Sequence, residues 1–120
     1  MSGRERNKEG DDALVTSKKR KAVMQTYIAL VKWTQKGIQE FRESPSRVEK
    51  AREAIAAGGG QMKSFYLTLG RYDMIAVFEA PDDAAYTKVM LVLGSKGGVR
   101  TETLRAFPED EFRNIVAAVS

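Results

Sequence analysis

From Phe65 to Asp83 the sequence reads as strand, tight turn, strand and helix start, and no other stretch limits the fold so closely. Phe65 to Leu69 and Met74 to Ala80 are rich in the aromatic, branched and aliphatic residues that fit a pleated surface. Between them lies Gly70-Arg71-Tyr72-Asp73, whose glycine can take a positive φ that other residues resist. Within Met74 to Ala80, Ile75 and Val77 face one way while Met74, Ala76 and Phe78 face the other, so neither side suits water. Met24 to Trp33 repeats the pattern, with Ile28 and Leu30 on one face and Tyr27, Ala29, Val31 and Trp33 on the other. Any fold built from these strands must cover both sides of their sheet.

The remaining elements follow in order. Thr34 can cap a helix that carries Ile38 and Phe41 on one side. Ser44-Pro45 interrupts and restarts it, since serine caps well and proline suits the first helical position. Val48, Ala51, Arg52 and Ile55 continue at helical spacing until Gly58-Gly59-Gly60. Gln61 to Leu69 is the second predicted strand and Asp73 to Ala80 the third. Pro81-Asp82-Asp83 opens another helix, with a predicted buried stripe of Ala85, Val89, Val92 and Leu93 and with Tyr86 and Met90 beside it. Gly98 to Phe107 is the fourth strand, and Pro108 permits a closing helix carrying Phe112, Ile115, Val116 and Val119.

Strand, helix, strand, strand, helix, strand is the split βαβ order of an α+β, ferredoxin-like sandwich: a four-stranded antiparallel sheet, here with a C-terminal helix added. Both helices then cover one sheet face and leave the other bare. An apolar face of that extent needs a partner, so a homodimer with two sheets face to face, a dimeric α/β barrel, is predicted.

Three patches carry a family resemblance. They are Tyr27-Ile28-Ala29-Leu30 with Trp33-Thr34, Gly37-Ile38 and the Ser44-Pro45-x-Arg47 break; Tyr66 to Asp73 through Glu79-Ala80-Pro81; and Gly97 to Thr103. Together they resemble the GYD domain family, named for its Gly-x-Tyr-Asp turn, over nearly all of Met24 to Phe107. Gly98 stands where that family often has asparagine. The resemblance implies the ferredoxin-like fold and the barrel dimer, and marks Gly70, Tyr72 and Asp73 as hallmark residues. It does not bring a reaction with it. It is compatible with a structural or small-molecule-binding module with a pocket between sheet and helices, with a cofactor-independent enzyme of monooxygenase or isomerase type on a small organic substrate, and with an effector-sensing regulatory subunit.

Composition narrows the chemistry. With 120 residues and 42% of them hydrophobic, the chain supports one domain with a modest core. Histidine and cysteine are both absent, which removes Ser-His-Asp and Cys-His catalysis, the usual haem and zinc ligands, and any disulfide framework. A cytoplasmic location is the default expectation, with no membrane span and no signal-peptide cleavage chemistry. The net charge of +4 is concentrated at the start, where seven Lys or Arg face four Asp or Glu up to Val23. Residues 1–23 are therefore expected to be a disordered basic tail and residues 24–120 the domain. The Lys18 to Lys21 cluster reads as an anionic-surface arm or as a solvated tail, and Met24 stands directly before the first strand. The nearly neutral domain gives no electrostatic case for nucleic acid, and the third strand lacks the basic-aromatic motif of an RNA-binding sheet.

The candidate functional residues are Gly70, Tyr72, Asp73, Glu79, Arg100, Thr101 and Glu102. Asp73 can act as a carboxylate base and Tyr72 can orient a small ligand; turn chemistry alone also accounts for their spacing. Arg100 and Glu102 share one face of the last strand, and Thr101 and Thr103 the other, as pocket lining or as cross-strand pairs. Glu79 lies in phase with Ile75 and Val77, where burial would raise its pKa. Gly94 to Gly98 lacks the Lys-Ser/Thr of a phosphate loop, and Asp82, Asp83 and Glu79 lack a recognised metal-ligand spacing. No cofactor and no metal are predicted.

Overall fold

A computed structural model describes residues 23–120. The predicted tail, with its Lys18 to Lys21 cluster, lies outside the described residues except for the exposed Val23. The elements are β1 (Gln25–Trp33), α1 (Gln35–Gln39), a single 3-10 turn (Phe41–Glu43), α2 (Ser44–Ala57), β2 (Gln61–Leu67), β3 (Met74–Ala80), α3 (Asp83–Ser95), β4 (Val99–Ala106) and α4 (Glu109–Ala118). The sheet order is β2-β3-β1-β4, and every neighbouring pair is antiparallel. This is the ferredoxin-like arrangement expected from the element order.

Period-two alternation sets the two faces. Tyr27, Ala29 and Val31 on β1 and Met74, Ala76, Phe78 and Ala80 on β3 are buried against Ala51 and Ile55 of α2 and Tyr86 and Val89 of α3. On the other face the ladder places Ile28 beside Val77 and Leu30 beside Ile75, with Tyr66 and Leu104 outside them. Tyr66 is 60% exposed and Leu104 49%.

Several expectations are corrected. Ser44 is the first residue of α2 rather than its cap; Glu43 precedes the helix without a side-chain cap, and the Ser44 hydroxyl instead accepts the Trp33 indole N–H at 3.1 Å. Ile38 and Phe41 do not share one helix, because α1 ends at Gln39 and Phe41 opens the 3-10 turn; both side chains are exposed, and α1 turns Gly37 inward. Val92 is exposed. The phase of α3 is set by Tyr86, which is buried with its ring stacked on Tyr27 at 4.3 Å, and this turns Val92 to the outside. β2 ends at Leu67 and β3 begins at Met74, since the backbone from Thr68 to Asp73 is occupied in closing the turn. α4 forms after Pro108 as expected, but none of its residues is buried: Phe112, Ile115 and Val116, and Val119 just past its end, are all exposed. The helix-covered side of the sheet is already filled by α2 and α3, and Pro108 leads the chain away in an extended conformation.

Among the described residues no helix is long and apolar enough to cross a membrane.

Candidate functional site

The Gly-x-Tyr-Asp turn forms a corner where β1 ends. The Thr68 amide donates to the Asp73 carbonyl at 2.8 Å and the Thr68 hydroxyl to the Tyr72 carbonyl at 2.6 Å, closing the loop. Gly70 sits at φ +107, and no atom stands within 4 Å of where its Cβ would be, so backbone conformation rather than space calls for glycine. The Asp73 amide donates to Val31 O at 2.8 Å, and its carboxylate accepts the Trp33 amide at 2.9 Å. Asp73 thus extends the ladder with β1 one residue ahead of the start of β3. The Tyr72 hydroxyl donates to Glu102 at 2.8 Å, and the Lys32 ammonium lies 5.7 Å from the Tyr72 ring centre.

Tyr72, Asp73 and Glu102 therefore gather at one corner with Gly70. Arg100 pairs with Lys32 on the open sheet face near them. Glu79 stands apart, six residues along β3 from Asp73, or about 20 Å at the usual strand rise. It is also not buried: its side chain is 35% exposed, and Lys63 approaches it at 3.9 Å. The three carboxylates considered for a metal are scattered, with Asp82 capping α3 through the Ala85 amide at 2.9 Å and Asp83 accepting from Tyr27. Among the described residues no group of three or more acidic side chains is placed to hold an ion.

A cavity of about 330 Å³ opens between the sheet and the helices. Small residues of the central strands, Ala29 and Ala76, form its floor, and Trp33, Phe65, Met90 and Leu93 its walls. Arg47, Lys50, Lys96 and Glu43 reach its rim, and Thr101 supplies a hydroxyl. Of the seven candidate residues, only Thr101 lines this space. The residues that sequence reasoning missed, Trp33, Ser44, Arg47 and Gly98, all belong to the first and third resemblance patches. The signal that could have found them was that patches far apart in the chain must meet somewhere.

Their meeting is physically tight. A Cβ on Gly37 would fall 1.8 Å from Gly98 O, so α1 and the turn before β4 touch backbone to backbone. The Thr34 amide donates to Gly98 O at 3.0 Å, while the Thr34 hydroxyl caps α1 by accepting the Gly37 amide at 3.1 Å. Arg47 pairs with Glu40 at 2.8 Å, and this ion pair holds the Glu40 carboxyl below its ordinary pKa.

At the opposite end of β1 a second cluster forms. The Tyr27 hydroxyl donates to Asp83 at 2.5 Å, the Arg105 guanidinium lies 5.6 Å from the Tyr27 ring centre, and the Tyr86 and Thr103 hydroxyls are 2.8 Å apart. Burial first, and then Asp83, push the Tyr27 pKa up to about 12; burial also raises that of Tyr86.

The GYD domain model matches residues 27–116. A protein of Thermus thermophilus named glutamine synthetase and cystathionine beta-lyase binding protein is 35% identical over 86 residues, covering 71% of this chain and 90% of the relative. A crystal structure of a protein from Thermus thermophilus is 30% identical, covers 70% of this chain and 94% of its own, and superposes with a TM-score of 0.45.

Proposed function

We propose, for a chain that belongs to the GYD domain family, the role of a homodimeric binding module that holds a small molecule between sheet and helices. One observation carries this reading: the cavity and the bare apolar face lie on opposite sides of the same sheet, so a ligand and a second copy can be bound together. The open face has the anatomy of an interface. Ile28, Leu30, Ile75 and Val77 form its centre, and Lys32, Arg100, Glu102, Lys63 and Glu79 supply a charged rim. Pairing two such faces would give the dimeric α/β barrel.

The relative from Thermus thermophilus is named for binding other proteins, which supports a binding role and adds a protein partner to the proposal. A catalytic role has less support. The Asp73 carboxylate is already engaged by the Trp33 amide, the Tyr72 hydroxyl by Glu102, and neither side chain lines the cavity.

Native mass spectrometry of the full-length protein tests the module directly. A dimer carrying additional small-molecule mass is expected. Ile75→Asp, which sets a carboxylate at the centre of the open face, should convert the dimer to monomer. A wild-type monomer would overturn the barrel, and a dimer that survives Ile75→Asp would move the interface elsewhere.

A further inference from the structure

We infer that the cavity takes a compact carboxylate with an apolar body, its head at Arg47 and its body among Trp33, Phe65 and Met90; this rests on the reading of the cavity as a binding site. The chemistry divides between interior and rim. Inside, the floor and walls are hydrocarbon, thioether and aromatic surface, where a charged group would be stripped of water without return. Met62, Met74 and Met90 all line the space, and their unbranched chains can adapt to an apolar body of irregular shape. The volume, about 330 Å³, is near the lower end for ligand pockets, which run from roughly 300 to 1,000 Å³.

The rim is cationic, with Arg47, Lys50 and Lys96 set against Glu43. Arg47 commits one arm of its guanidinium, Nη2, to Glu40 at 2.8 Å. The other arm, Nη1, lies over Gly98, 3.2 Å from where a Cβ would stand. A side chain at position 98 would crowd that arm, and glycine leaves it in place at the cavity edge. A guanidinium already oriented by one carboxylate has donors left for a second.

The same neighbours limit the ligand's charge. Glu40 and Glu43 stand beside Arg47, so a doubly charged phosphate would face two carboxylates as it met the arginine. A single negative charge meets the cations without that repulsion. An apolar monoanion therefore fits better than either a neutral hydrocarbon or a phosphate.

Trp33 is the chain's single tryptophan and it lines the cavity, so its fluorescence reports occupancy in the intact protein. Full-length protein would be titrated with cyclohexanecarboxylate, with its neutral counterpart cyclohexanecarboxamide, and with inorganic phosphate. The carboxylate is expected to shift Trp33 emission saturably, at a concentration at least tenfold lower than the amide, and phosphate to give no shift. Arg47→Gln should weaken the carboxylate about tenfold, as expected for one charge-assisted contact, and leave the amide unchanged. Arg47→Lys, which keeps the charge and loses the fork, should fall between them. Equal binding of carboxylate and amide would overturn the anion assignment while leaving the cavity a binding site. Tighter binding of phosphate would overturn the monoanion. No response to either cyclohexane compound would overturn the cavity reading itself.

Discussion

At its C-terminal end β1 is held chiefly by backbone: the Asp73 amide on Val31 O, the Thr34 amide on Gly98 O, and Gly37 against the Gly98 peptide, with the Asp73 carboxylate on the Trp33 amide beside them. At its N-terminal end it is held by side chains: Tyr27 stacked on Tyr86, its hydroxyl on Asp83, with Arg105 over the ring. The first arrangement tolerates almost no change in shape, because backbone atoms cannot move aside. The second can lose one polar atom and keep its packing. The difference teaches where a substitution should remove the fold and where it should only loosen it.

The sharpest break lies at Gly37. Alanine there drives a methyl into Gly98 O, and neither backbone can yield without distorting α1 or the start of β4. Overpacking of this kind usually costs about 1–3 kcal/mol, and with backbone on both sides about 3 kcal/mol or more is expected, read from urea melts. A Gly37→Ala protein of normal stability would mean that the two segments can part, and the rigid-end picture would fail.

Asp73 comes next. Asp73→Ala leaves the Trp33 amide without its partner at the end of the ladder and should cost about 2 kcal/mol, the usual scale for a hydrogen bond to a charged group. Asp73→Asn keeps an acceptor and should recover roughly half of that loss. Gly70→Ala should cost about 1 kcal/mol through its positive φ alone, since nothing crowds the position. If Asp73→Asn were as stable as wild type but lost ligand or dimer, the corner would have a functional role beyond holding the turn.

These two ends also differ in how far the sequence reveals them. Gly70 to Asp73 is contiguous, and glycine followed by a short acidic residue is turn chemistry that any local reading finds. The faces of β1 and β3 are equally plain, because a period of two assigns each residue once the strand is recognised. Tyr27 and Asp83 are 56 residues apart, and nothing local says that they meet. The phase of α3 depends on a similarly distant meeting, Tyr86 stacked on Tyr27, which is why Val92 reads as buried from spacing alone and lies outside in the structure. Arg47 and Gly98 show the same limit. Each is visible as part of a motif, but the cavity they border exists only once α2 has packed over the sheet. α4 shows a different limit: the helix is where the sequence puts it, and spacing cannot tell whether the chain itself has room left to cover its apolar stripe.

Tyr27→Phe sharpens the comparison from the other end. The stack and the buried ring remain, and loss of the bond to Asp83 should cost about 1 kcal/mol. Its pH signature is more specific. The folded protein holds Tyr27 protonated up to about 12, against an ordinary value of 10.0, so the fold binds the proton more tightly than the unfolded chain. That contribution is complete below pH 10 and is lost as pH rises toward 12. Denaturant melts should therefore show wild type losing stability across this window relative to Tyr27→Phe. A constant difference between the two proteins across the window would mean that the hydroxyl is not held as the geometry indicates.

The smallest effect is expected at Tyr72, although it is a hallmark residue of the turn. Its hydroxyl meets Glu102 at the solvent edge of the sheet, where hydrogen-bonded and charged contacts are each worth only a few tenths of a kcal/mol. Tyr72→Phe should thus melt within about 0.5 kcal/mol of wild type, and Glu102→Gln should do the same. Neither residue lines the cavity, so the Trp33 fluorescence response to cyclohexanecarboxylate should also be unchanged. The pair therefore separates stability from function at the one corner where the sequence offers both readings. If Tyr72→Phe kept its stability and lost the ligand response, the rigid end of β1 would be transmitting to the cavity through Trp33, whose amide Asp73 holds and whose ring forms the wall. If stability and response both persist, the tyrosine ring serves the turn and the open face, where the Lys32 ammonium already lies over it.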